Sequence, residues 1–115
     1  MYYLFVVVLE GCPYSNAALE LLTDNKTNFK SLKVTSNDKE KYKTDKISTF
    51  PQIYLKKNNN SLLLGGYSDL KTFFETFNNQ PYNVKNVNEF KRKYSNWNKH
   101  SILRMIELIN LKRLA

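Results

Sequence analysis

Near its start the chain carries an unbroken apolar run, Tyr2 to Val8 (Tyr-Tyr-Leu-Phe-Val-Val-Val), rich in β-branched and aromatic residues. A run without alternation is the pattern of a strand buried on both faces. Beyond a Gly11-Cys12-Pro13 turn, Ala17, Ala18, Leu21 and Leu22 recur at helical spacing and predict a helix over about Pro13 to Asp24. Proline suits its first position, where an N–H would have no helical partner. Phe29 to Thr35 alternates and predicts a second strand, and the charged stretch Asp38 to Lys46, opened by Ser36-Asn37-Asp38, predicts an exposed helix. Gln52 to Leu55 reads as a third strand, Lys57 to Ser61 as a polar hairpin turn and Leu62-Leu63-Leu64 as the returning strand. After Gly65-Gly66, Ser68-Asp69 is expected to cap a helix whose apolar positions Leu70, Phe73, Phe74 and Phe77 run on to Asn78-Asn79. The order β-α-β-α-β-β-α implies parallel pairs across the helices and an antiparallel late hairpin. An α/β fold with a four-stranded mixed sheet flanked by helices follows.

From Pro81 the pattern changes. Val87, Phe90, Tyr94 and Trp97, then Ile102, Met105, Ile106 and Ile109, repeat at helical spacing and predict two amphipathic helices packed on the preceding unit. Residues 1–80 are therefore expected to form one domain and residues 81–115 a helical extension. Charge divides at the same place. Of the net +8, residues 1–80 contribute +2 and residues 81–115 contribute +6. Lys91-Arg92-Lys93, Arg104 and Lys112-Arg113 are read as a solvated face of packed helices in preference to a nucleic-acid surface.

With 115 residues, 42% hydrophobic content and 16 aromatics (eight Tyr, seven Phe, one Trp), the chain can bury a modest core. Leu9-Glu10-Gly11-Cys12 has the outline of a lipid-attachment box. Its flanks lack a basic n-region, its apolar run is short, and Glu10 is charged where a small residue is wanted. No stretch approaches the roughly 18 apolar residues of a membrane span. The expectation is a cytoplasmic monomer with no membrane partner.

A single cysteine excludes an internal disulfide scaffold and suits a reducing compartment. Cys12 lies between the first strand and the first helix, where unpaired N–H groups and the helix dipole favour thiolate over thiol. Ser15, three residues on, cannot supply a second sulfur. A covalent intermediate on Cys12 must be resolved by a thiol from another molecule. Thr49-Phe50-Pro51 before a strand, Gly65-Gly66 and the sole histidine, His100, are unremarkable when taken singly; Tyr67 is read as a surface residue, His100 as solvated or capping, and the chain holds no Cys/His cluster for zinc.

Taken together, an N-terminal strand, Cys12-Pro13-Tyr14-Ser15 at a helix start, Thr49-Phe50-Pro51 before a strand and Gly65-Gly66-Tyr67-Ser68-Asp69 at a later helix start resemble a glutaredoxin over roughly residues 1–80. The resemblance implies a thioredoxin-like fold and a glutathione-dependent thiol–disulfide oxidoreductase. Its Cys12 would attack the glutathione sulfur of a mixed disulfide, and a second glutathione would regenerate it. It also implies that Pro51 is cis, that the Phe50 backbone pairs with the glutathione cysteinyl unit beside Thr49, and that Gly66 lets the chain pass close to the ligand. Ser68 and Asp69 would hold the γ-glutamyl group, and Tyr14 would wall the cleft. Glutathione is then the co-substrate, and glutathionylated proteins or small disulfides are the partners.

Departures from the family pattern sharpen this. Ser15 removes the two-thiol route and leaves the monothiol one. The cation many members place three residues before the nucleophile is Leu9 here, with Glu10 next to it, and the Arg often found before Thr-x-Pro is Ser48. Weaker glutathione binding and a less depressed thiol pKa are expected, with Lys39, Lys43 or Lys46 as candidate replacements. Iron–sulfur carriage by a dimer, as in the Cys-Gly-Phe-Ser members, is the alternative. Pro13 in place of their glycine and Leu63-Leu64 in place of their Trp-Pro argue against it, and so against a metal site. A redox-inert interaction module is the remaining alternative.

Overall fold

The computed structural model describes residues 1–77 and 83–114. Strand β1 (Tyr3–Leu9) leads to helix α1 (Pro13–Asp24), then β2 (Phe29–Val34), a four-residue 3-10 turn (Lys39–Tyr42), β3 (Gln52–Lys57), β4 (Asn60–Gly65), α2 (Tyr67–Phe77), α3 (Val84–Lys93) and α4 (Lys99–Leu114). The sheet runs β2-β1-β3-β4, with β1 parallel to β2 and antiparallel to β3, and β3 antiparallel to β4. This is the mixed four-stranded sheet expected of a thioredoxin-like fold. Continuation of the second long helix to Asn78-Asn79 and the boundary at Pro81 lie outside the described residues, as do the side chains of Lys112 and Arg113.

Two faces of β1 meet different fates. Leu4, Val6 and Val8 project with Ile53, Leu55 and Leu64 into the main core, against Ala18 and Leu22 of α1 and Leu70, Phe73, Phe74 and Phe77 of α2. The opposite face is covered only around Val7, Val34 and Phe50, with Phe5, Leu9, Tyr42 and Tyr54 partly buried beside them. So β1 is not buried evenly on both faces, as its unbroken apolar run predicted. Toward its start, Phe5 is covered by the Lys56 ammonium, 4.1 Å from the ring centroid.

The cause lies in residues 38–46, which do not form the expected helix. Only Lys39–Tyr42 turns, as a 3-10 segment with no buried residue. A charged stretch with no apolar stripe has nothing to press against the sheet, and short helices are not stable without such packing. Tyr42 alone contributes cover, and its carbonyl accepts a hydrogen bond from the buried Gln52 amide at 2.8 Å.

Helices α3 and α4 complete the main core. Val87, Trp97, Ile102, Met105, Ile106 and Ile109 join the same buried cluster as the strands. Trp97 is fully buried, and its Nε1–H donates to the Leu63 carbonyl on edge strand β4 at 3.2 Å. The Asn110 amide donates from α4 to the Phe77 carbonyl at the end of α2, at 3.3 Å. An aromatic cluster of Phe73, Phe77, Phe90, Tyr94 and Trp97 knits α2 to α3. Among the described residues no helix is long and apolar enough to cross a membrane.

Candidate active site

Strand β1 ends at Leu9, and the chain reverses through Gly11, whose φ of +75° is left-handed. The Cys12 N–H returns to the Leu9 carbonyl at 3.1 Å, and the Cys12 carbonyl accepts the first helical bond from Asn16 at 3.0 Å. Cys12 is thus the N-cap of α1, with extended backbone (φ −88°, ψ 120°) and Pro13 directly after it. An N-cap side chain normally accepts hydrogen bonds from the first-turn N–H groups. Pro13 has none to give, so the available donors are Tyr14 and Ser15. As a thiol Cys12 makes no cap bond, and its S–H points to the Phe50 carbonyl, with Sγ 3.8 Å from the oxygen. As a thiolate it is the acceptor the cap lacks.

Its acidity follows from that competition. Partial burial opposes ionisation, while the Ser15 N–H, the Ser15 hydroxyl and the Tyr14 N–H favour it. The net effect holds the Cys12 pKa below the ordinary thiol value. Ser15 is fully buried beneath the cysteine, and its Oγ accepts the Leu9 N–H at 3.0 Å, leaving its own hydrogen to donate toward the sulfur. The residue read as a missing sulfur is therefore a donor that links strand, helix and nucleophile.

Across from Cys12 the Phe50–Pro51 peptide bond is cis, as the resemblance implied. The Phe50 side chain is buried against Val7 and Val34, which turns its backbone toward the thiol. From here a groove of about 1000 Å³ runs between Tyr14, Thr49 and Phe50 on one side and Gly66, Ser68 and Asp69 on the other. Cys12 adjoins it through Phe50, and Cys12, Pro13, Ser15 and Pro51 are not part of the lining. Tyr14 is exposed, and its ring tilts against Tyr67 at 6.1 Å between centroids. Tyr67, read from sequence as a surface residue, is half-buried, packed on the main core and part of the groove.

Of the three candidate lysines, Lys46 lines the groove, while Lys43 is held by Glu40 at 2.8 Å and Lys39 is not in the lining. Lys46 is presented by a closed turn in which the Thr44 N–H reaches the Ile47 carbonyl at 2.8 Å and the Lys46 N–H reaches Thr44 Oγ1 at 3.2 Å.

At the far end, α2 begins at Tyr67 and its first bond runs from Leu70 N–H to the Gly66 carbonyl at 3.1 Å. Ser68 and Asp69 lie inside the first turn and do not cap it. Asp69 reaches back, and its Oδ2 accepts the Gly66 N–H at 3.0 Å, the return half of a capping box. This contact makes Gly65 obligatory. It holds φ +137°, and a Cβ there would collide with the Asp69 carboxylate, whereas a Cβ on Gly66 would meet only the Pro51 carbonyl at 3.7 Å. Sequence reasoning also missed Lys93, Tyr94, Ser95 and Asn96, which line this end of the groove from the end of α3 and its link to α4. Only the clustering of Lys93 with Tyr94 at the close of an amphipathic stripe hinted at them.

Among the described residues, no group of three or more His, Cys, Asp or Glu side chains is placed to hold a metal ion. Residues 2–58 match the glutaredoxin family model. No curated protein matches the chain. The crystal structure of glutaredoxin 1 from Francisella tularensis, complexed with cacodylate, superimposes with a TM-score of 0.55 at 21% identity, over 70% of this chain and 100% of that one, and shares its fold. Members of the matched family are thiol–disulfide oxidoreductases that use glutathione as reductant. Residues 2–58, which carry the Cys12 turn and the cis Phe50–Pro51 bond, are thus those of a glutaredoxin domain.

Proposed function

We propose that the protein reduces glutathione mixed disulfides by a monothiol mechanism centred on Cys12. The observation that carries this reading is the position of the Cys12 sulfur at the N-cap of α1, 3.8 Å from the carbonyl of Phe50, which lines the groove. The thiolate attacks the glutathione sulfur of a mixed disulfide. A Cys12–glutathione disulfide forms, the original sulfur–sulfur bond breaks, and the substrate leaves as a thiolate that takes a proton from water. A second glutathione thiolate then attacks the glutathione sulfur on Cys12, which releases oxidised glutathione and restores the thiolate. Atoms and electrons balance, because one mixed disulfide and one free glutathione thiol give one substrate thiol and one oxidised glutathione.

Groove residues divide the tripeptide between them. The Phe50 backbone meets the cysteinyl unit. Lys46 takes the glycine carboxylate in place of the cation missing at Leu9. The first-turn N–H groups at Ser68 and Asp69 face the γ-glutamyl carboxylate, with the Asp69 side chain for the ammonium. A lone nucleophile needs no resolving cysteine on this route, consistent with Cys12 being the chain's one cysteine.

The decisive experiment treats the protein with oxidised glutathione and weighs it. One glutathione on the wild type and none on Cys12→Ser supports the reading, together with turnover of a glutathionylated peptide that Cys12→Ser loses. No adduct and no turnover in the wild type refutes it. Lys46→Gln is expected to raise KM for glutathione disulfides by about two- to fivefold, the scale of one exposed charge contact, with little change in kcat.

A further inference from the structure

The far end of the groove is built by residues outside the matched segment. Asp69 Oδ1 accepts a hydrogen bond from the Tyr94 hydroxyl at 3.2 Å, while its Oδ2 is held by the Gly66 N–H at 3.0 Å. Both carboxylate oxygens therefore have fixed partners, one of them supplied by the C-terminal end of α3. Tyr94 is itself immobilised, stacked on Phe90 at 4.3 Å and edge-on to Trp97 at 6.1 Å. Its burial, with the negative charge of Asp69 beside it, pushes its pKa up to about 12, so the hydroxyl remains a donor at any ordinary pH. Next to it, the Lys93 ammonium lies 4.0 Å from Asp69 Oδ1 and is largely exposed. An exposed pair at that distance is weak, and the lysine is free to take another anion.

A carboxylate and an ammonium set side by side in a groove match a ligand that carries both charges on one carbon, an α-amino acid end with its ammonium and carboxylate. We propose that the C-terminal helices belong to the substrate site: Lys93 binds the α-carboxylate of a γ-glutamyl group, and Tyr94 is a positioning residue that orients Asp69 for the adjoining ammonium. The inference rests on the proposed glutathione-disulfide chemistry and assigns its selectivity to the extension. When the γ-glutamyl end arrives, its ammonium displaces Lys93 from Asp69, and Lys93 swings onto the neighbouring carboxylate. Each charge then exchanges one partner for another, and none is left unpaired.

The test compares two mixed disulfides of the same peptide, one with glutathione and one with cysteinylglycine, which lacks the γ-glutamyl group. Lys93→Gln is expected to raise KM for the glutathione disulfide by roughly five- to tenfold, the range of a charge-assisted contact, with kcat unchanged and the cysteinylglycine disulfide unaffected. Tyr94→Phe keeps the ring stack, and its expected effect is a rise of about three- to fivefold with the same selectivity. In neither variant should the alkylation rate of Cys12 change. Equal shifts for both disulfides, or none, overturn the inference while wild-type turnover stands. A lower KM in Lys93→Gln, as a lysine that merely blocks Asp69 would give, overturns it too. Failure of the wild type to accept glutathione at Cys12 is a different result, and removes the chemistry on which the inference rests.

Discussion

Ser15 occupies the place where a second sulfur would sit, and its oxygen serves two neighbours. It accepts the Leu9 N–H at 3.0 Å and helps hold the Cys12 thiolate. Replacing Ser15 by Ala should therefore leave monothiol chemistry possible but slower at neutral pH. The midpoint of the pH profile for alkylation of Cys12 is expected to move upward, measured with iodoacetamide. Loss of the Leu9 acceptor should cost about 1 kcal/mol of stability by urea denaturation. Stability carries the same sign. Because the folded thiol is more acidic than the unfolded one, the native state holds fewer protons between its own pKa and the ordinary thiol value of about 8.5. The contribution is complete above the ordinary value and is lost as pH falls through the folded one; Cys12→Ala should lack that rise. The place of Cys12 at the N-cap of α1 was legible in sequence because glycine, cysteine and proline are adjacent. The pair of hydrogen bonds made by the Ser15 hydroxyl was not, since it depends on α1 folding back over the end of β1. Gly65 was hidden for a similar reason: neither its φ of +137° nor the return of Asp69 to the same spot shows in the local sequence.

At the scale of elements, long apolar periodicities were readable and short charged ones were not. Ala18 and Leu22 of α1 and Leu70, Phe73, Phe74 and Phe77 of α2 sit where their spacing put them, all buried in one core. Residues 38–46 do not form a helix, because a charged stretch with a possible cap but no apolar stripe has nothing to bury. Two contacts that anchor α3 and α4 were beyond any local pattern. One is Asn110, fully enclosed and donating to both Phe77 and Ile106 carbonyls, at 3.3 and 2.9 Å. Its replacement by Ala leaves the Phe77 carbonyl without that donor and should cost about 1–3 kcal/mol in urea unfolding, well above a surface substitution. The other is the Tyr94 hydroxyl on Asp69. With its folded pKa raised to about 12, Tyr94 contributes stability that is full below the unfolded value of about 10 and is lost as pH rises through about 12. A difference titration of tyrosine absorbance between wild type and Tyr94→Phe should therefore show one phenol ionising late.

Across the whole molecule, division of the sequence into a glutaredoxin-like part and a basic extension does not divide the core. Trp97 lies within the same buried cluster as Leu4, Ile53 and Leu64, and donates to Leu63 on the strand that would otherwise be an open sheet edge. Asn110 closes the end of α2, and Tyr94 and Lys93 finish the groove. If α3 and α4 were an appendage resting on a self-sufficient domain, they would melt first, and the sheet would follow at higher denaturant. A shared core requires both to unfold together, because removing the helices exposes Leu70, Phe73, Phe77 and the edge of β4 at once. The chain supplies its own reporter, since Trp97 is its only tryptophan and sits at that junction. Tryptophan fluorescence and far-ultraviolet circular dichroism should therefore give coincident urea transitions in the full chain, with one midpoint and one slope. Trp97→Ala, followed by circular dichroism alone, should lower the stability of the entire molecule by about 3–5 kcal/mol, as expected when a fully buried indole is removed from a common core. Fluorescence changing well before the dichroism would instead assign α3 and α4 an independent unfolding unit, and the groove would then be complete only while that unit is docked.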